Sequence, residues 1–177
     1  KNVSTGVFDD HGTLYASGRR ADINIILPDL SIRQADLYSR DEIFCLRVFN
    51  NYLYALIELR DADESHPELA IWRHQILDGQ GNLGDAELVF DWASAGEAYE
   101  DSDPATFTLD SEGKVYIGSD NVAPILYYDP STGNIEEIYK GIIPAAAEKL
   151  LCGSGNYLYM VYSGNDLFRI DLGNPED

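Results

Sequence analysis

The chain has 177 residues, 45% of them hydrophobic and 11% aromatic, and carries 31 acidic against 12 basic residues for a formal net charge of -19. This field repels polyanions, and no basic cluster exceeds Arg19-Arg20, which excludes nucleic acid and disfavours anionic membrane surfaces as partners. No run of eighteen apolar residues occurs, so the chain has no helical membrane span, and its longest apolar stretches are the length of a strand.

Taken in order, the chain repeats one phrase four times. A first strand is expected over Val3 to Phe8, followed by a turn through Asp9-Asp10-His11 into Gly12-Thr13-Leu14-Tyr15-Ala16. The phrase returns as Asn51-Tyr52-Leu53-Tyr54-Ala55, Gly113-Lys114-Val115-Tyr116-Ile117 and Asn156-Tyr157-Leu158-Tyr159-Met160. Each copy opens on a residue that tolerates a positive φ and continues into apolar positions around a tyrosine, the pattern of a hairpin turn feeding a buried strand. The other first strands are Ile43 to Phe49, Thr106 to Leu109 and Leu150 to Cys152.

Third strands follow as Ile23 to Asp29, Leu69 to Asp78, Pro124 to Asp129 and Asp166 to Asp171, each closing on an aspartate. Fourth strands, with mixed polar and apolar positions, follow three of the units at Ser31 to Tyr38, Glu87 to Trp92 and Asn134 to Tyr139. The segment Ala145-Ala146-Ala147-Glu148, after Pro144, reads as a connecting turn with room for a short helix.

The expected fold is therefore all-β: a β-propeller of four-stranded antiparallel blades at 1–40, 41–103, 104–144 and 145–177, the last one incomplete. A strand covered on both faces has no solvent side to alternate toward, which explains the consecutive apolar residues of the phrase. The four tyrosines are expected to bury their rings between blades while each hydroxyl finds a partner. The visible units suit a compact ring or part of a six- to eight-bladed one. The partial reading is preferred, with missing sheets supplied by further chain or by self-assembly that covers open blade edges. Lys1 in place of an initiating Met also points to a processed or longer chain.

The second unit exceeds the others by about twenty residues, on the propeller period. The surplus falls in the acidic stretch Asp61-Ala62-Asp63-Glu64-Ser65-His66-Pro67-Glu68 and in Trp92 to Pro104, which holds Glu100, Asp101 and Asp103. Asp61, Asp63, Glu64 and Glu68, and separately Glu100, Asp101 and Asp103, are the candidate metal ligands, because clustered carboxylates in a loop suit Ca²⁺ or another divalent cation. A solvated acidic loop is the alternative. Asp78-Gly79-Gln80-Gly81-Asn82 lacks the glycine and glutamate that a calcium loop needs at its sixth and twelfth positions.

No catalytic constellation is present: His11, His66 and His74 stand apart, and no HExxH, Gly-x-Ser-x-Gly or phosphate-loop pattern occurs. The histidines read as turn, loop and packed residues. Trp72 and Trp92 read as packing anchors or as recognition residues at a rim. Cys45 and Cys152 lie in apolar strands and belong to no CxxC motif, so buried thiols are expected and a single bridge between them stays open. Asn2-Val3-Ser4 is too short a signal to establish glycosylation.

Ile71 to Gly84 with Glu87-Leu88-Val89-Phe90, and Thr108 to Ile117, resemble blades of the SMP-30/gluconolactonase and NHL-like propellers. In that group a strand ends at Asp-x-x-Gly and a blade opens with an aspartate, a turn glycine and a strand. The resemblance implies the propeller fold and, for the lactonases, a divalent metal held on the axis by oxygen ligands from separate blades. The Asn-Gly-Leu and Pro-Asp-Gly phrases that accompany those ligands are missing here, so no ligand is carried over. The resulting expectation is a non-enzymatic, extracytoplasmic or secreted binding and scaffold module whose loops meet a protein or glycan partner. A metal-dependent hydrolase or lactonase of the SMP-30 type is the alternative.

Overall fold

The computed structural model describes residues 4–18, 22–38, 41–63, 65–138, 146–153, 156–162 and 166–173. Fifteen strands and two short 3₁₀ turns account for the regular structure of these residues. The chain divides into two compact units, Lys1–Trp92 and Ala93–Asp177.

In the first unit, β1 (Thr5–Phe8), β2 (Leu14–Ser17), β3 (Asn24–Ile26) and β4 (Ile32–Gln34) form one antiparallel meander in sequence order. A second follows from β5 (Glu42–Phe49), β6 (Tyr52–Glu58), β7 (Leu69–Ile76) and β8 (Leu83–Asp91). In the second unit, β9 (Pro104–Leu109), β10 (Val115–Ser119), β11 (Ile125–Asp129) and β12 (Asn134–Ile138) form the third meander. The fourth has three strands, β13 (Ala147–Cys152), β14 (Tyr157–Tyr162) and β15 (Leu167–Asp171). The fold is thus all-β, of the β-propeller class, with up-and-down antiparallel blades.

Local chemistry explains why each meander turns where it does. The four residues that open the repeated phrase all have positive φ: Gly12 at 81°, Asn51 at 62°, Gly113 at 82° and Asn156 at 65°. An aspartate closes the loop before two of them. Asp9 Oδ1 accepts from the amides of His11 and Thr13, and Asp110 Oδ1 from those of Glu112 and Lys114. The same Asx geometry recurs after β7, where Asp78 Oδ1 accepts from the amides of Gln80 and Asn82. Side-chain acceptors thereby satisfy turn amides that the ladders cannot reach.

Burial follows the propeller logic. Leu53 through Ile57 and Val115 through Ser119 are buried at consecutive positions, because each of these second strands is covered on both faces. Within the first unit, Tyr15, Ile23 and Ile25 pack against Ile43, Leu46, Leu53, Ala55, Ile57 and Trp72 of the second sheet. Within the second unit, Tyr116 and Ile125 pack with Ala147, Leu150, Leu158 and Met160. The first strands of adjacent sheets are also tied together. Thr5 Oγ1 accepts from the Leu46 amide at 3.0 Å, and Thr106 and Thr108 accept from the amides of Leu150 and Cys152.

Three expectations need correction. Tyr15, Tyr54 and Tyr116 are buried, but Tyr159 is only half-buried, because it shares a cross-strand row with the exposed Leu151 and Arg169. Its strand alternates, with Leu158 and Met160 alone reaching the core. Ala147 and Glu148 belong to β13 rather than to a turn or helix, since Ala147 pairs with Tyr162; Ala145 lies outside the described residues. The fourth strand of the second sheet begins at Leu83, four residues before the expected Glu87, and bulges where it follows β7. Cys45 and Cys152 are free thiols, the first buried and the second half-buried.

Candidate functional site

The acidic insertion folds back on the second sheet. Asp63 and His66 form a small bridge, with amide hydrogen bonds in both directions. Asp63 Oδ1 accepts from the Ser65 amide and hydroxyl, from the His66 amide and from the His66 ring, at 2.8 to 3.0 Å. These donors, the Ser65 hydroxyl first among them, hold the Asp63 carboxyl down at about 2. Fixed in this way, the His66 imidazole stacks on the Trp72 indole with centroids 5.9 Å apart and planes 26° from parallel.

Trp72 and His74 are two residues apart on β7 and therefore share a face. His74 is buried among polar partners. Its Nδ1 lies 2.9 Å from the carbonyl oxygen of Gly84, which can only accept, so Nδ1 carries the proton. Nε2 is then an acceptor for the Tyr38 hydroxyl at 2.6 Å. Burial pushes the His74 pKa down, opposed in part by the Gly84 hydrogen bond. Burial likewise pushes the Tyr38 phenol up.

Around this face lies a cavity of about 450 Å³. Leu37, Tyr38 and Asp41 reach it from the connection between β4 and β5, Leu59, Asp61 and His66 from the insertion, and Trp72 and His74 from β7. The start of β8 closes it with Leu83, Gly84, Asp85 and Ala86. Trp72 is only 5% exposed, and its Nε1 is buried with no hydrogen-bond partner among the described residues.

The carboxylates proposed from sequence disperse. Asp61 lines the cavity, whereas Asp63 is spent on its own turn. Glu64 lies outside the described residues, and Glu68 is exposed, its carbonyl accepting from Leu59. Glu100 and Asp101 are exposed beyond the second 3₁₀ turn, Glu97–Tyr99, and the Asp103 amide donates to Asp120 Oδ1 while its carbonyl accepts from the Asp120 amide. Among the described residues, no three His, Cys, Asp or Glu side chains are grouped to hold a metal ion. Arg19-Arg20 lies outside the described residues. His11 sits in the Asp9 turn, and Trp92 is buried, with its ring edge-on to Phe90.

Sequence reasoning passed over Tyr38, Asp41 and Asp85 as site residues and read His74 only as a packed side chain. The one available signal was the Trp72-x-His74 spacing beside an acidic insertion.

No protein-family model matches the chain, and no curated protein matches it in sequence. Solved structures do. An auxiliary nutrient binding protein from Bacteroides thetaiotaomicron superposes with a TM-score of 0.68 at 16% identity, over 96% of this chain and 38% of that one. PorZ, a bacterial surface component of the type-IX secretion system of Porphyromonas gingivalis, gives 0.63 at 13% identity, over 97% and 26%. The extracellular domain of a proposed one-component system from B. thetaiotaomicron gives 0.61 at 8% identity, over 95% and 21%. The chain therefore spans between about a fifth and two-fifths of these longer chains. The likeness is one of fold, and the similar structures include extracellular and surface proteins. Among the described residues no helix is long and apolar enough to cross a membrane.

Proposed function

We propose that this chain is a binding module of the β-propeller class that works outside the cytoplasm and takes a ligand in the cavity beside Trp72 and His74. The observation that carries the reading is the cavity of about 450 Å³ itself, where the aromatic and aliphatic side chains of Tyr38, Trp72 and Leu59 meet the carboxylates of Asp41, Asp61 and Asp85. A pocket with an apolar floor and a few converging polar groups is the usual form of a small-ligand site. Binding is favoured over catalysis because the one deeply buried histidine is already committed. Both ring nitrogens of His74 are engaged, by Gly84 and by Tyr38, so it holds the wall and has no free nitrogen to act as a base.

The insertion supports the same reading, since it is the part of the second sheet that departs from the repeat and it delivers Asp61 and His66 to the cavity. The Asp-x-x-Gly turns at Asp9, Asp78 and Asp110 support kinship with SMP-30 and NHL-like propellers. An extracytoplasmic setting is supported by the surface and extracellular proteins that share the fold.

The test is a ¹⁵N-resolved NMR screen of the protein against a small-molecule library containing cationic, anionic, neutral and saccharide members. Binders are expected to move the Trp72 indole N–H signal, assigned by comparison with Trp92→Phe. A library in which no class moves that signal overturns the proposal.

A further inference from the structure

Among the described residues, the charged side chains fixed in the wall of this cavity are carboxylates. Asp41, Asp61 and Asp85 line it, and among the described residues no Lys or Arg does. Asp41 Oδ1 accepts from the Arg60 amide, while no hydrogen bond or ion pair among the described residues engages the carboxylates of Asp61 or Asp85. Both are exposed at the rim. The two histidines do not balance them. His74 is buried with Nδ1 bonded to the Gly84 carbonyl and Nε2 to the Tyr38 hydroxyl, and the His66 ring faces Asp63.

Behind the carboxylates the surface is aromatic and aliphatic: Trp72 with His66 stacked on it, Tyr38, and Leu37, Leu59 and Leu83. Aromatic faces attract cations through their quadrupoles, and aliphatic walls hold the apolar stem that carries such a cation. The formal charge of -19 adds a long-range field that draws cations toward the chain and turns anions away.

Resting on the binding reading above, we infer that the ligand of this cavity is an organic cation on an apolar stem, a guanidinium or primary ammonium whose charge sits among Asp41, Asp61 and Asp85. Two sources share this chemistry: the Arg or Lys side chain of a polypeptide, and a small free amine.

The experiment titrates the full chain with N-acetyl-arginine amide, its neutral isostere N-acetyl-citrulline amide, N-acetyl-glutamate amide and n-butylguanidinium, following the Trp72 indole N–H by NMR. The arginine compound is expected to bind at least tenfold more tightly than the citrulline compound. The Asp61→Asn/Asp85→Asn pair, both rim residues, should reduce that preference tenfold, and raising the salt should weaken it. Equal binding of arginine and citrulline compounds, or a preference that survives the double substitution, overturns the cation while leaving the cavity a binding site. Failure of every compound, together with the unrestricted library, removes the site itself. If the cation is upheld, butylguanidinium binding as tightly as the arginine amide identifies a free amine as the ligand, and tenfold tighter binding of the amide identifies a polypeptide side chain.

Discussion

The Tyr38 hydroxyl donates to Nε2 of the buried His74 at 2.6 Å, joining the connection that leaves the first sheet to the third strand of the second. With Nδ1–H donating to Gly84 O, the ring is fixed at both ends, and it holds the β4–β5 connection and the start of β8 against one cavity. Tyr38→Phe removes the donor and leaves a buried ring nitrogen without a partner. A loss of about 1–3 kcal/mol is expected from that desolvation penalty, read as a lower urea midpoint with an unchanged m-value. A midpoint equal to that of the parent would mean that the bond contributes nothing.

The same histidine makes stability depend on pH. Its folded pKa lies below the ordinary 6.5, chiefly through burial. Below 6.5 the unfolded chain takes up a proton that the folded chain refuses, so stability falls as pH drops from 6.5 toward the folded pKa and levels off beneath it. Within that window the slope for one group is about 1.4 kcal/mol per pH unit. The His74 Cε1–H resonance should titrate below 6.5 in the native protein, and a midpoint at or above that value would contradict the burial argument.

Asp9 and Asp110 occupy equivalent turns and do the same work. Asp9 Oδ1 accepts two turn amides and its Oδ2 accepts from the Tyr15 hydroxyl at 3.2 Å; Asp110 Oδ1 accepts the two corresponding amides, and its charge adds to burial in raising the Tyr116 phenol. Asp9→Ala strands a buried tyrosine hydroxyl and the Thr13 amide, and should cost about 1–3 kcal/mol. Asp129→Ala removes an acceptor from the exposed turn at Ser131 and should cost clearly less. Parallel thermal and chemical unfolding of Asp9→Ala, Asp110→Ala and Asp129→Ala checks the order, and equal losses would refute it.

Close approach of two sheets in the second unit depends on Gly118. A Cβ there would stand 2.8 Å from Thr106 Cγ2, 2.9 Å from Ala147 Cβ and 3.0 Å from the Ala147 carbonyl oxygen. Backbone and short side chains cannot yield as a long side chain would. Gly118→Ala should therefore destabilise by about 1–3 kcal/mol through overpacking, measured by denaturant unfolding. A neutral or stabilised variant would show that the sheets can separate at no cost.

What the residues declare locally, they declare well. Gly12, Asn51, Gly113 and Asn156 mark four turns because a positive φ is a property of single residues, and the apolar runs behind them mark strands because covered strands lack alternation. Asp9 and Asp110 are legible for the same reason, since an Asx turn involves neighbours two to four positions away. The acidic insertion stood out by composition, but composition supplied the carboxylates without their destinations, and among its described carboxylates only Asp61 lines the cavity.

The tertiary structure alone decided which side chains meet. The cavity draws on the connection at Leu37 to Asp41, the insertion at Leu59 to His66, β7, and the start of β8, segments whose proximity depends on how one sheet packs on the next. Tyr38 and His74 are 36 positions apart, and no local pattern couples them. Tyr159, identical in phrase to Tyr15, differs in burial because burial depends on what covers a face and not on the residues that form it.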